Sequence, residues 1–193
     1  MFPRVQTKVC RIVSDFCREV ILQLAGDYLP PDFLAQEKIT ETVKGFKSTG
    51  FPQCLGAIER CHIKISPKLQ DAEAFRNNVA LFALVDFRYR FSYISIGRPG
   101  KSHDSHIYGF KRELIESDLR RENAKSVQGV WVPLLLVGDS ASRFSRHVMK
   151  PYPSSMVATP EQRAFNYHLT RGDIKKLWFL FQKLEPIRSY YFC

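Results

Sequence analysis

Three strand-like stretches in close succession limit the fold of this chain more than any other feature: GAIERCHIKI (residues 56–65), VALFALVD (79–86) and RFSYISIG (90–97). In the first, every second residue from Ala57 shares one face, so Glu59 sits with Ala57, Cys61, Ile63 and Ile65, while Ile58, Arg60, His62 and Lys64 take the other. A carboxylate on the more apolar face is costly unless something pairs with it. Three explanations of Glu59 stand at this point: a metal ligand, half of an ion pair, or a tolerated edge position. The second and third stretches are joined only by Phe87, Arg88 and Tyr89. Further on, WVPLLLVGDS (131–140) reads as one buried strand ending in Gly-Asp.

The segments around these strands are helical in period. Val9, Ile12, Val13, Phe16, Val20 and Leu24 recur at helical spacing over residues 5–24, and Pro30 and Pro31 stop the pattern. A second helical stretch covers 33–47, and the two helices are expected to pack against the strands beyond them. The loop RPGKSHDS (98–105) opens into a helix over 106–116, with Asp104 or Ser105 as its N-cap. Residues 117–128 are charged and read as irregular. TPEQ (159–162) places Thr159 at an N-cap, Pro160 at the first helical position and Gln162 three residues after the cap, a capping box. Phe165, Leu169, Ile174, Leu177, Trp178 and Phe181 continue that helix until Pro186 ends it. Strands followed by a helix, a strand and a long helix predict an α/β fold, a mixed sheet flanked by helices, behind a helical preface over residues 1–50.

Charge enters because of what such a sheet can bind. Lys and Arg number 29 against 19 Asp and Glu, a net charge of +10, which favours a polyanionic partner such as nucleic acid over a merely solvated basic surface only when other features agree. Lys111-Arg112, Arg120-Arg121 and Lys175-Lys176 are the basic pairs available for phosphate contact. The five cysteines form no C-x-x-C pair, so zinc-finger spacing is absent and a reducing compartment fits. No apolar run approaches the roughly 18 residues of a membrane span, and no secretory leader is recognisable.

The acids carry the chemistry. Asp139 follows an apolar strand at its carboxyl end, where open α/β sheets bind ligands, although on position alone a loop-starting Gly-Asp turn explains it more simply. Asp104 can cap a helix or ligate, and Glu161, in a first helical turn, complements the helix dipole. Taken together, acids on separate strands of a basic protein suit metal-dependent phosphoryl transfer. There, two divalent ions about 3.5–4 Å apart stabilise the attacking and leaving oxygens.

Several blocks of the chain are familiar in order: FPQCLGAIERCHIKISP, VDFRYRFSYISIGRPGKSHDSHIYGFKREL, LLLVGDS, MKPYP and TPEQRAFNYHLTR. Collinear from about residue 9 to residue 184, they resemble the DDE-superfamily endonucleases of the Harbinger transposase-derived nuclease type. The resemblance implies a ribonuclease-H-like fold over residues 51–185 with a tail at 186–193, a divalent metal (Mg²⁺ or Mn²⁺), DNA as substrate, and the nucleus as location. It also implies that Glu59, Asp104 and Asp139 are the catalytic metal ligands, and that a protein partner supplies a DNA-binding domain.

The departures are specific. The family pattern G-A-I-D-G-T-H-I has its aspartate where this chain has Glu59, followed by Arg60 and Cys61. The family's helix glutamate falls on Leu177 or Trp178, which cannot bind a hard cation, and Ala141, Ser142 and Arg143 replace the residues that usually come after the strand aspartate. Two readings remain: a metal-dependent nuclease in which Glu161 stands in for the missing acid, or a transposase remnant that binds DNA or protein without cutting. The missing helix acid favours the family fold with cleavage weakened or lost.

Overall fold

The computed structural model describes residues 3–29, 31–65, 78–99, 118–140, 142 and 146–171. Over these residues the chain is mixed α/β. A five-stranded mixed sheet is built from β1 (Cys54–Lys64), β2 (Asn78–Val85) and β3 (Phe91–Pro99), together with two short strands defined below. The three strands expected from the sequence are present, with β1–β2 and β2–β3 both antiparallel. The turn between β2 and β3 is fastened by Asp86. Its Oδ1 accepts the backbone N–H groups of Arg88 and Arg90, and its Oδ2 accepts Nε and Nη2 of Arg90 at 3.0 and 2.8 Å.

The run at 131–140 is not one strand. Pro133 has no N–H to give to a ladder, and the segment divides there. Val130–Val132 (β5) pairs with Lys125–Val127 (β4) in a separate hairpin, and Leu135–Val137 (β6) joins the main sheet. The β4–β5 turn places Gln128 and Gly129 at φ 50° and 83°, the two left-handed residues of a tight hairpin. The stretch expected to be irregular therefore holds one helical turn, α3 (Leu119–Glu122), and a strand.

Strand β6 runs parallel to β1, and Val148–Met149 (β7) runs parallel to β6, giving the order β3-β2-β1-β6-β7. Alternation sends the two faces of β2 to different cores. Leu84 packs with Ile39, Ile58, Leu134 and Leu136, while Leu81, Ala83 and Val85 pack with Ala57.

Helix α2 (Gln36–Ser48) covers the first of these cores with Ile39 and Val43, and Phe46 joins Phe51, Cys54 and Val137. Helix α4 (Pro160–Arg171) adds Leu169 to that last cluster. Its start matches the sequence signal: Thr159 Oγ1 accepts the Gln162 N–H at 3.3 Å. In return, Gln162 Oε1 accepts the N–H groups of Thr159 and Ala158 at 3.1 and 2.8 Å.

Helix α1 (Pro3–Tyr28) departs from expectation. It is helical and ends before the two prolines, but its apolar stripe does not enter the core: Ile12 and Phe16 remain 67% and 68% exposed. The helix over 106–116 and the continuation of α4 beyond residue 171 lie outside the described residues.

Candidate metal centre

The parallel pairing of β1 with β6 brings two acids together. Ala57 lies opposite Val137. Two residues further along each strand stand Glu59 and Asp139, on the same face because side chains alternate with period two. Neighbouring strands are about 4.8 Å apart, so the two carboxyl groups are near neighbours. Glu59 remains within β1, opposite Ala83 of β2, whereas Asp139 sits just past the end of β6.

Their proximity has an electrostatic consequence. Burial is the first cause, and the Asp139 charge the second, of a rise in the Glu59 pKa to about 7 from its ordinary value of 4.5. The Arg60 backbone N–H, which favours the carboxylate, only partly offsets them. Near neutral pH the pair therefore resists carrying two full negative charges. A divalent cation competes with a proton for the same oxygens.

Asp139 is held by its own loop. Its Oδ1 accepts the Ser142 N–H at 2.7 Å and the Ser142 hydroxyl at 2.8 Å. Lys150, just after β7, donates from Nζ to the carbonyls of Ser142 and Ser140 at 2.9 and 3.4 Å. Gly138 is needed here: a Cβ on it would lie 2.5 Å from Ser142 Oγ and displace the residue that orients Asp139.

The donors fit a hard divalent ion in part. Mg²⁺ is commonly held by one or two carboxylates, with waters and substrate phosphates completing its shell. Among the described residues no group of three His, Cys, Asp or Glu side chains is close enough to hold a metal. Glu161 forms no such group with Glu59 and Asp139. It is exposed in the first turn of α4, where its own backbone N–H and the Thr159 hydroxyl hold its carboxyl below the usual range. Asp104, Leu177 and Trp178 lie outside the described residues. So do the basic pairs Lys111-Arg112 and Lys175-Lys176. Arg120 is not free to bind phosphate: it is 7% exposed and donates from Nε to the Leu134 carbonyl at 2.9 Å, leaving Arg121 exposed beside it.

Sequence reasoning missed Gln53, Ser142 and Lys150. Gln53, at φ 60°, donates from Nε2 to the carbonyls of Asn123 and Val132 at 2.8 and 3.0 Å, and its own carbonyl accepts the Leu135 N–H. It thereby sets β6 beside β1, through partners no local pattern names. Ser142 had a usable signal, since a serine three residues after an aspartate suits a side-chain-capped turn. A cavity of about 590 Å³ bounded by Tyr28, Phe33, Lys38, Asp86 and Arg90 is a different place, with neither acid in its wall. Among the described residues no helix is long and apolar enough to cross a membrane. Comparison with protein-family models, curated proteins and solved structures gives no match to this chain.

Proposed function

We propose that this protein is a transposase-derived, DDE endonuclease-like protein of the Harbinger type in which divalent-metal-dependent cleavage of DNA is weakened or lost. The observation that carries the reading is the closeness of Glu59 on β1 to Asp139, just past the end of the neighbouring parallel strand β6, with the Glu59 pKa raised to about 7. Two acids that repel each other at the rim of a sheet are a common mark of a cation site. The strand order β3-β2-β1-β6-β7, with β2 antiparallel and β6 parallel to the central strand, supports a ribonuclease-H-like fold.

In this reading a bound Mg²⁺ or Mn²⁺ supplies Lewis acidity toward a phosphodiester. Glu59 and Asp139 hold it, and Ser142 fixes the direction of Asp139. Asp104 is the third ligand by resemblance. Glutamate carries its oxygens one methylene further out than aspartate, which disturbs a two-metal spacing, and Leu177 or Trp178 offers no oxygen at the place of the helix acid. The site then keeps cation affinity better than catalysis. DNA in the nucleus is the polyanion that the +10 charge is read as serving, and a separate protein supplies a DNA-binding domain.

The test has two arms. Manganese titration calorimetry is expected to show binding that is tighter at pH 8 than at pH 6, because Glu59 must give up its proton, and that disappears in Asp139→Ala. Plasmid nicking with Mg²⁺ or Mn²⁺ is expected to be slight or absent. Robust nicking abolished by Asp139→Ala overturns the loss of cleavage, and absence of metal binding at both pH values overturns the cation site.

The reading as a non-catalytic DNA- or protein-binding module is favoured by one further observation, the exposed apolar stripe of α1.

A further inference from the structure

Strand β7 brings a lysine to the side of Asp139 away from Glu59. Val137 lies opposite Met149 in the β6–β7 pair, and the Met149 carbonyl accepts the Gly138 N–H at 2.8 Å. Lys150, the next residue, therefore leaves the sheet beside the loop that follows Asp139. Along the rim the order is Glu59 on β1, Asp139 after β6 and Lys150 after β7.

Lys150 donates to neither acid. Its Nζ bonds the carbonyl of Ser142 at 2.9 Å and, more loosely, that of Ser140 at 3.4 Å. Ser142 is the residue whose N–H and hydroxyl both end on Asp139 Oδ1, at 2.7 and 2.8 Å. The same N–H closes the turn onto the Asp139 carbonyl at 3.2 Å. A chain of contacts thus runs from Lys150 through Ser142 to Asp139. An ammonium carries three donors and no acceptor, and hydrogen bonds from a charged donor are stronger than neutral ones. It is suited to gather carbonyls of a short loop that has no ladder to hold it.

Charge and position make opposite demands here. A positive charge one strand away from two acids lowers their affinity for a divalent cation. A carboxylate already fixed in direction binds better, because less freedom is lost when the cation arrives. Removing Lys150 therefore strengthens cation binding if the residue is only a neighbouring charge. It weakens binding if the residue holds Asp139 in place.

We propose that Lys150 is a positioning residue for Asp139: by gathering the Ser140 and Ser142 carbonyls it keeps Ser142 donating to the Asp139 carboxylate. The consequence for metal binding rests on the reading of Glu59 and Asp139 as a cation site, whereas the hold on Asp139 does not.

Two measurements on the full chain keep these apart. In manganese titration calorimetry at pH 8, Lys150→Met is expected to weaken binding about tenfold or more, the scale on which residues behind a metal ligand act. Lys150→Arg keeps donors for both carbonyls and is expected to restore most of the affinity. Ser142→Ala should weaken binding as well, and adding Lys150→Met to it should change little further, because both act through one contact. Without metal, amide exchange followed by NMR is expected to quicken at Ser142 by about tenfold in Lys150→Met, as loss of one hydrogen bond allows. The amides of β1 and β2 should keep their wild-type rates. Manganese binding that is unchanged or tighter in Lys150→Met overturns the proposal, and so do additive losses in the double variant or an unchanged Ser142 exchange rate. If the wild-type chain binds no manganese, the cation reading falls, and Ser142 exchange alone decides whether Lys150 holds Asp139.

Discussion

Helices α1 and α2 carry the same kind of message in sequence and meet opposite ends in the fold. Both repeat apolar residues at helical spacing, and both are helices. In α2 the stripe closes over β1, and Ile39 is left 1% exposed. In α1 the stripe faces outward along most of its length. Period determines whether a segment is a helix, because it is a property of neighbours three and four residues apart. It does not name the surface that the stripe will cover.

That contrast is open to attack at the sheet. Leu84 packs against the residues that α2 covers, at 1% exposure. Leu84→Ala is expected to cost about 2–5 kcal/mol in chemical denaturation, and a loss under about 1 kcal/mol would mean the first core is not the one that holds the body together. Asp86→Asn keeps one oxygen for the backbone N–H groups of Arg88 and Arg90 but removes the charge and the Oδ2 that accepts the Arg90 guanidinium in the β2–β3 turn. A cost of about 1–3 kcal/mol is expected by the same measurement.

Glu59 gives a smaller effect of the opposite sign. Its carboxyl binds a proton more tightly in the folded state, with a pKa of about 7 against 4.5. Stability is therefore expected to fall as pH rises from about 4.5 to about 7, and to stay at the lower level above that. Glu59→Gln should flatten this window and raise the melting temperature at pH 8 by on the order of a few degrees, as followed by calorimetry. A variant that melts lower at pH 8 would show that Glu59 is paired favourably rather than crowded. At the far end, Phe16→Ala on α1 is expected to leave unfolding of the body within about 0.5 kcal/mol in dilute solution. A change as large as that of Leu84→Ala would erase the difference between the two helices.

The features legible in the sequence are those whose partners lie close along the chain. The capping box of α4 formed as expected because Thr159 and Gln162 are three residues apart. Strands β1, β2 and β3 were legible from alternation and a short turn. The division at Pro133 was written in the sequence as a missing donor and was overridden by the apolar letters around it. The tight turn at Gln128-Gly129 was likewise local, but its flanking strands are three residues each, too short for alternation to mark them. Strand β7 carries only two residues and no period, so nothing marked it.

The candidate site divides along the same line. Glu59 and Asp139 were each visible as acids with an odd or strategic address. Their closeness was not, because it depends on β6 returning parallel to β1 under the hold of Gln53. The Glu59 pKa depends on the same return, since both burial and the Asp139 charge arise only in the folded sheet. Arg120 shows the reverse: a basic pair in sequence, but in the fold one member spent on the Leu134 carbonyl.

By itself the sequence determined helices α1 and α2, the start of α4, the three-strand opening of the sheet and the positions of the acids, since short-range backbone sterics, capping and period fix these. Only the tertiary structure decided that Glu59 meets Asp139 and that the stripe of α2 is covered while that of α1 is not. Those outcomes depend on contacts between residues far apart in the chain, which compete for a limited core.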